Sequence, residues 1–256
     1  MSNDYRPGMD TRHLFDRIAP RYDLLNRLLS FGIDRRWRRA AVQVLELAGN
    51  ALVLDAATGT ADVALAIAAA HPAVRVVGVD LSANMLRAAA AKSGLLAERI
   101  RLLQGSCENL PLRAELFEGA VIAFGIRNVL DREAALREFY RVLKPGGRLA
   151  VLEFSRPPGF LLGRLYRFYS HWVLPRIGSL LSDGSAYRYL PDSVEVFPSR
   201  YAFMRLMEHA GFRQVCHCDL TGGIATLYSG CRPLHDPLRE TGMVETPNCP
   251  GQGSPV

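Results

Sequence analysis

From Ala51 onward, short runs of β-branched and aliphatic residues alternate with alanine-rich stretches of helical period. This alternation constrains the fold more than any other feature, because strands separated by helices of 10–15 residues pair in parallel and carry their helices on both faces. The spacing predicts strands at Ala51–Asp55, Val74–Asp80, Ile100–Gln104, Gly119–Phe124 and Arg148–Phe154. Helices are expected from the turn after Asp55 to Ala70, over Ala83–Lys92 and over Arg132–Leu143, where Lys144-Pro145-Gly146-Gly147 reads as the stop. A helix over Tyr201–Ala210 and strands Arg213–Asp219 and Ile224–Ser229 complete the pattern as an antiparallel hairpin. The expected architecture is a doubly wound α/β fold with a mostly parallel seven-stranded sheet.

Two segments stand outside that sheet. Arg12–Ser30 places Leu14, Phe15, Ile18, Tyr22, Leu25, Leu28 and Leu29 at helical spacing, and Phe160–Ser182 mixes aromatics with Arg164, Arg167, His171 and Arg176. Both are expected to cover the open end of the sheet. The chain thus divides into a polar, disordered N-terminus (1–10), one domain (11–230) with covering helices (11–49) and a lid insertion (156–198), and a proline-rich tail, Cys231–Val256, which has no periodic signal and is expected to be disordered. Five scattered cysteines without a C-x-x-C pair argue against a zinc ribbon or a stapled secreted fold. With no apolar run of 18 residues and no signal-peptide pattern, a reducing, cytoplasmic setting is expected. The net charge of +6 permits anionic partners, but 29 of the 31 basic residues are arginines without a long basic block.

In a doubly wound sheet, ligands bind beyond the carboxyl ends of the strands. The first predicted strand runs into Asp55-Ala-Ala-Thr58-Gly59-Thr60-Ala61-Asp62, and the second ends in Asp80, placed to accept both hydroxyls of a ribose. A dinucleotide would need G-x-G-x-x-G to embrace its pyrophosphate. Here the loop has one glycine, flanked by Asp55 and Asp62, which suits the ammonium and sulfonium of S-adenosylmethionine better. Gly59 allows close backbone approach, Thr60 offers a hydroxyl and an amide to the methionine end, and Ser106-Cys107-Glu108 follows the third strand near the expected adenine. The plainer alternative makes Gly59 a simple turn, Asp80 a helix cap and Cys107 a small packed residue.

With these residues in view, the sequence resembles the class I S-adenosylmethionine methyltransferases, and within them the UbiE/MenG ubiquinone/menaquinone biosynthesis methyltransferases. The resemblance runs from about His13 to Gly230. It rests on Phe15-Asp16-x-Ile-Ala-x-x-Tyr22-Asp23-x-x-Asn26, on Ser30-Phe31-Gly32-Ile33-x-Arg35-x-Trp37, on Phe124-Gly125-Ile126-Arg127-Asn128-Val129 and on Leu174-Pro175-Arg176-Ile177-Gly178. By position it implies cofactor contacts at Thr60, Asp80, Ser106 and Cys107. The chain departs from the family at Ala61, often glycine, at Ser106-Cys107, where many relatives carry Asn-Ala or a similar pair, at Asp34, histidine in some members, and at Ala123, where some relatives carry serine.

The resemblance also implies the reaction: methylation of a ring carbon of a polyprenylated quinol, most simply demethylmenaquinol, with a ubiquinone precursor as the alternative. No metal is required. Deprotonating a ring hydroxyl makes the carbon more nucleophilic, so a base or a phenolate stabiliser is needed. Arg127, directly after the fourth strand, is the first candidate, with a structural salt bridge as its alternative. Tyr22 and Asp23, and then His171, follow as candidates for the ring hydroxyl. The amphipathic and aromatic segments would give a prenyl tail its route and would permit peripheral contact with a membrane. Competing readings are a methyltransferase with another small acceptor, a nucleic-acid-modifying protein and a non-catalytic partner in quinone synthesis. The nucleic-acid reading lacks a basic aromatic stripe and an N-P-P-Y type motif.

Overall fold

A computed structural model describes Ser30, residues 32–159 and residues 193–234. Seven strands form one sheet: β1 (Leu52–Ala56), β2 (Arg75–Asp80), β3 (Ile100–Gln104), β4 (Phe117–Ala123), β5 (Leu143–Phe154), β6 (Arg213–Leu220) and β7 (Ala225–Cys231). Their order is β3-β2-β1-β4-β5-β7-β6. The first five pair in parallel, and β7 enters antiparallel between β5 and β6. The order reverses between β1 and β4, which opens a crevice at their carboxyl ends.

The apolar runs explain the layers. A strand sends successive side chains to opposite faces, so Val53, Val76 and Leu152 enter one core while Leu54, Val77 and Val151 enter the other. Helices α1 (Asp34–Gln43) and α2 (Asp62–Ala70) cover the first face with Ala41, Val42, Ile67 and Ala68, and Ala89 of α3 (Ala83–Ser93) joins them. Helices α4 (Arg132–Val142) and α5 (Arg200–His209) cover the second with Leu136, Phe139, Phe203 and Met207. Side-chain oxygens of Ser82, Asp131 and Ser199 cap α3, α4 and α5.

Three strand boundaries differ from those the sequence predicts by two residues or more, at the start of β4, the start of β5 and the end of β7. Strand β4 begins at Phe117 and ends at Ala123, because Phe124 turns into the left-handed region at φ +58°. Helix α4 stops at Val142, and Lys144–Gly147 belongs to β5 instead of lying before it. Leu143 already pairs with Phe117, and a register shift before Gly119 absorbs the irregularity. At the other end, β7 runs through Cys231, beyond the predicted Ser229, and the ordered backbone continues into the segment that reads as tail. The Arg232 amide donates to the Gly147 carbonyl at 2.8 Å. Its guanidinium donates to the carbonyls of Tyr140 (3.1 Å) and Leu143 (2.7 Å) and to the Glu115 carboxylate (2.6 Å), closing the carboxyl end of α4.

The predicted N-terminal helix 12–30, apart from Ser30, lies outside the described residues, as do most of the lid insertion and the tail beyond Leu234. Among the described residues, no helix is long and apolar enough to cross a membrane.

Candidate functional site

The loop from β1 to α2 is built from alternating left-handed residues, with φ of +50° at Ala57, +56° at Gly59 and +66° at Ala61. Only glycine adopts this region without cost, and for the two alanines it costs roughly 1–2 kcal/mol each. Buried hydrogen bonds hold them there. The Asp55 carboxylate, at the end of β1, accepts from the Thr58 hydroxyl at 2.6 Å and from the Ala64 amide at 3.0 Å, so it serves as a cap for α2 from nine residues upstream. Burial pushes its carboxyl up to about 7, against the lowering effect of the two hydrogen bonds and of Arg38.

Asp80 stands beside this loop at the end of β2. One carboxylate oxygen accepts from the Gly59 amide and the other from the Ser82 amide, each at 2.8 Å. These two bonds orient the carboxylate at the wall of a cavity of about 380 Å³. Gly59, Ser106, Cys107 and Glu108 share that wall, and Leu81, Met85, Val129 and Leu130 supply apolar surface. Gly125 lies at the inner end, where a side chain has no room: a Cβ there would stand 2.7 Å from that of Ala57. The Ser106 hydroxyl accepts from the Glu108 amide at 3.2 Å, and Glu108 in turn accepts from the Asp131 amide at 2.8 Å, so the rim is tied to the start of α4. Burial and the nearby carboxylates push the Cys107 thiol up to about 12, which makes it a packed residue and not a nucleophile.

Four of the residues singled out from the sequence therefore meet at one cavity: Gly59, Asp80, Ser106 and Cys107. Asp55 and Thr60 are buried and do not line the cavity, and Asp55 braces the loop from within. Arg127 stands elsewhere. It is buried, its Nη1 donates to Glu153 and to the Phe124 carbonyl at 2.6 Å each, and its guanidinium lies 5.5 Å from the Phe154 ring centre. Glu153 is fully buried and also accepts from the Arg127 amide. Arg127 thus forms a buried ion pair that joins the ends of β4 and β5. Tyr22, Asp23 and His171 lie outside the described residues.

Sequence reading missed two features. Phe124 lines the cavity and packs with Phe154 at 4.5 Å and Trp37 at 6.1 Å between ring centres. Its motif was legible, but the left-handed turn that swings the ring inward was not. The other is a chain of alternating charge, Asp34, Arg38, Asp62 and Lys92, that joins α1, the start of α2, and α3. Its members are 4 to 30 residues apart, and only the packing of three helices brings them together. Among the described residues, no three metal-ligating side chains converge.

The profile of the ubiE/COQ5 methyltransferase family matches residues 3–232. The chain is 71% identical over 234 residues to the ubiquinone/menaquinone biosynthesis C-methyltransferase UbiE of Syntrophotalea carbinolica, covering 91% of this chain and 99% of that one. It is 48% identical over 221 residues to the demethylmenaquinone methyltransferase of Thermus thermophilus, covering 86% and 100%. Among solved structures, an S-adenosylmethionine-dependent methyltransferase of Thermotoga maritima aligns with a TM-score of 0.60 at 26% identity, over 86% of this chain and 99% of that one.

Proposed function

The chain belongs to the ubiE/COQ5 methyltransferase family, and from that premise we propose that it uses S-adenosylmethionine to methylate a ring carbon of a polyprenylated quinol, converting demethylmenaquinol to menaquinol. The observation that carries this reading is the 71% identity to a UbiE enzyme along nearly its full length. The similarity to the Thermus demethylmenaquinone methyltransferase favours the naphthoquinol over the benzoquinol.

The residues present fit the cosubstrate. Asp80, oriented by the Gly59 and Ser82 amides, accepts the ribose hydroxyls. The apolar side of the cavity, with Ser106 and Cys107 at its edge, takes the adenine. Asp55, through Thr58 and the Ala64 amide, keeps the loop in its left-handed course, and the loop offers no glycine-rich cradle for a pyrophosphate. What the cosubstrate supplies when bound is a methyl group on a sulfonium, open to in-line attack by an electron-rich ring carbon that afterwards loses its proton.

On the acceptor side, Arg127 holds the Phe124 carbonyl and, through Glu153, the ends of β4 and β5. It is the cation assigned to the developing phenolate, directly or through water, and Tyr22 is the further candidate for the ring hydroxyl. The entry of the prenyl tail is assigned, from the sequence alone, to the segments around 12–30 and 160–182, which apart from Ser30 lie outside the described residues.

The deciding experiment is mass spectrometry of quinones in a strain lacking the gene, with the gene restored as control. Accumulated demethylmenaquinone is the expected result. Accumulation of a demethylated ubiquinone precursor alone would move the substrate to the benzoquinol, and an unchanged quinone pool would overturn the reading.

A further inference from the structure

The charged residues on the described cavity wall, Asp80 and Glu108, are both acidic. They leave a carboxylate without a partner, although S-adenosylmethionine ends in an α-amino acid that carries one. Two basic groups adjoin the loop, Arg38 and Lys92, and both contact Asp62.

Arg38 is buried on α1, with only 7% of its surface exposed. Its Nη1 donates to Asp34 and stands 3.4 Å from Asp62 Oδ2. Among the described residues, that nitrogen is the one atom of the guanidinium engaged in a hydrogen bond or ion pair. The group lies 5.5 Å from the ring centre of Phe124, a residue that lines the cavity. Lys92 is a point charge held by Asp62, with Thr60 Oγ1 at 3.4 Å. Of the two cations, Arg38 alone has the planar fork that matches a carboxylate with two parallel bonds.

We infer that Arg38 and Asp62 together seat the amino-acid end of the cosubstrate, with the carboxylate on the Arg38 guanidinium and the ammonium on Asp62. This rests on the S-adenosylmethionine reading above. Opposite charges 3.4 Å apart complement the adjoining charges of an α-amino acid. With the ribose at Asp80 and the base toward Ser106, the other end of the molecule extends past Gly59 toward Phe124, where Arg38 stands. The arrangement also gives α1, which contributes no strand-end loop, a part in cofactor recognition. Asp34 holds the guanidinium in place from one turn earlier.

The test compares S-adenosylmethionine with its decarboxylated analogue by calorimetry, on wild type, Arg38→Lys and Arg38→Gln. Wild type should prefer the carboxylated ligand by roughly 10- to 100-fold, the range for hydrogen bonds to a charged group. In Arg38→Gln that preference should collapse toward unity through lost affinity for the carboxylated ligand, with the analogue bound as in wild type. Arg38→Lys should fall between and serves alone should the glutamine variant fail to fold. A wild type without preference, or a folded variant that keeps the wild-type preference, overturns the inference. A wild type that binds neither ligand overturns the functional reading instead.

Discussion

At the scale of single residues, two aspartates 25 residues apart in the sequence do different work. Asp80 is oriented by two amides at the cavity wall. Asp80→Ala should weaken S-adenosylmethionine binding by about 1.5–3 kcal/mol, as for hydrogen bonds with a charged partner; calorimetry checks this, and an unchanged affinity would remove Asp80 from the site. Asp55 is buried, and its folded-state value of about 7 stands above the ordinary 3.8. The folded protein therefore keeps a proton that the unfolded chain releases. The resulting stabilisation is fully present below about pH 3.8 and is lost as pH rises through about 7, at a slope approaching about 1.4 kcal/mol per pH unit between those values. Asp55→Asn can still accept from Thr58 and Ala64 and should lack this slope. Denaturant titrations of both proteins from pH 5 to 8 should diverge accordingly; parallel curves would show that Asp55 is ionised throughout.

At the scale of elements, two arginines fasten strand ends to their neighbours. Arg127 and Glu153 pair at the ends of β4 and β5, and removing one partner strands a buried charge at a cost of about 3–5 kcal/mol. Arg127→Ala should therefore lose stability, which by itself would mask any catalytic role. The double variant Arg127→Met/Glu153→Leu should recover much of that stability. If Arg127 also stabilises phenolate charge, turnover in the double variant should remain on the order of 10²-fold down with cosubstrate affinity intact. Recovered turnover would make the pair purely structural. At the far end of the sheet, Arg232 closes the last carbonyls of α4. Arg232→Ala should lower stability by about 1–3 kcal/mol, the cost of leaving such groups without partners, whereas a stop codon after Leu234 should leave the denaturation midpoint unchanged.

At the scale of the whole molecule, the proposed substrate carries a tail that keeps it in a bilayer, while no described helix can span one. The net charge is +6, and the amphipathic and aromatic segments flank the sheet's open end in sequence. Weak binding to anionic vesicles is expected, strengthened by long-tailed quinol and reduced by salt, which screens exposed charges. Flotation at low and high salt checks this. Absence from the lipid fraction at low salt, with normal activity on a tail-less quinol, would make those segments a lid alone.

Much of this was legible in the chain itself. Hydrophobic period is a local property, so the runs from Leu52 to Phe154 specify strands, helices and a parallel sheet, and Gly59 and Asp80, each after such a run, come to line one cavity. Neighbours in space but not in sequence were decided by tertiary structure. The partner of Arg127 is 26 residues away, and Asp55 caps a helix it precedes. Lys144–Gly147 joins a strand because Phe117 lies beside Leu143. The four charges from Asp34 to Lys92 meet only where three helices pack. A carboxylate or guanidinium has no intrinsic preference among such roles; burial and the identity of its counter-charge choose, and both exist only once the layers have closed.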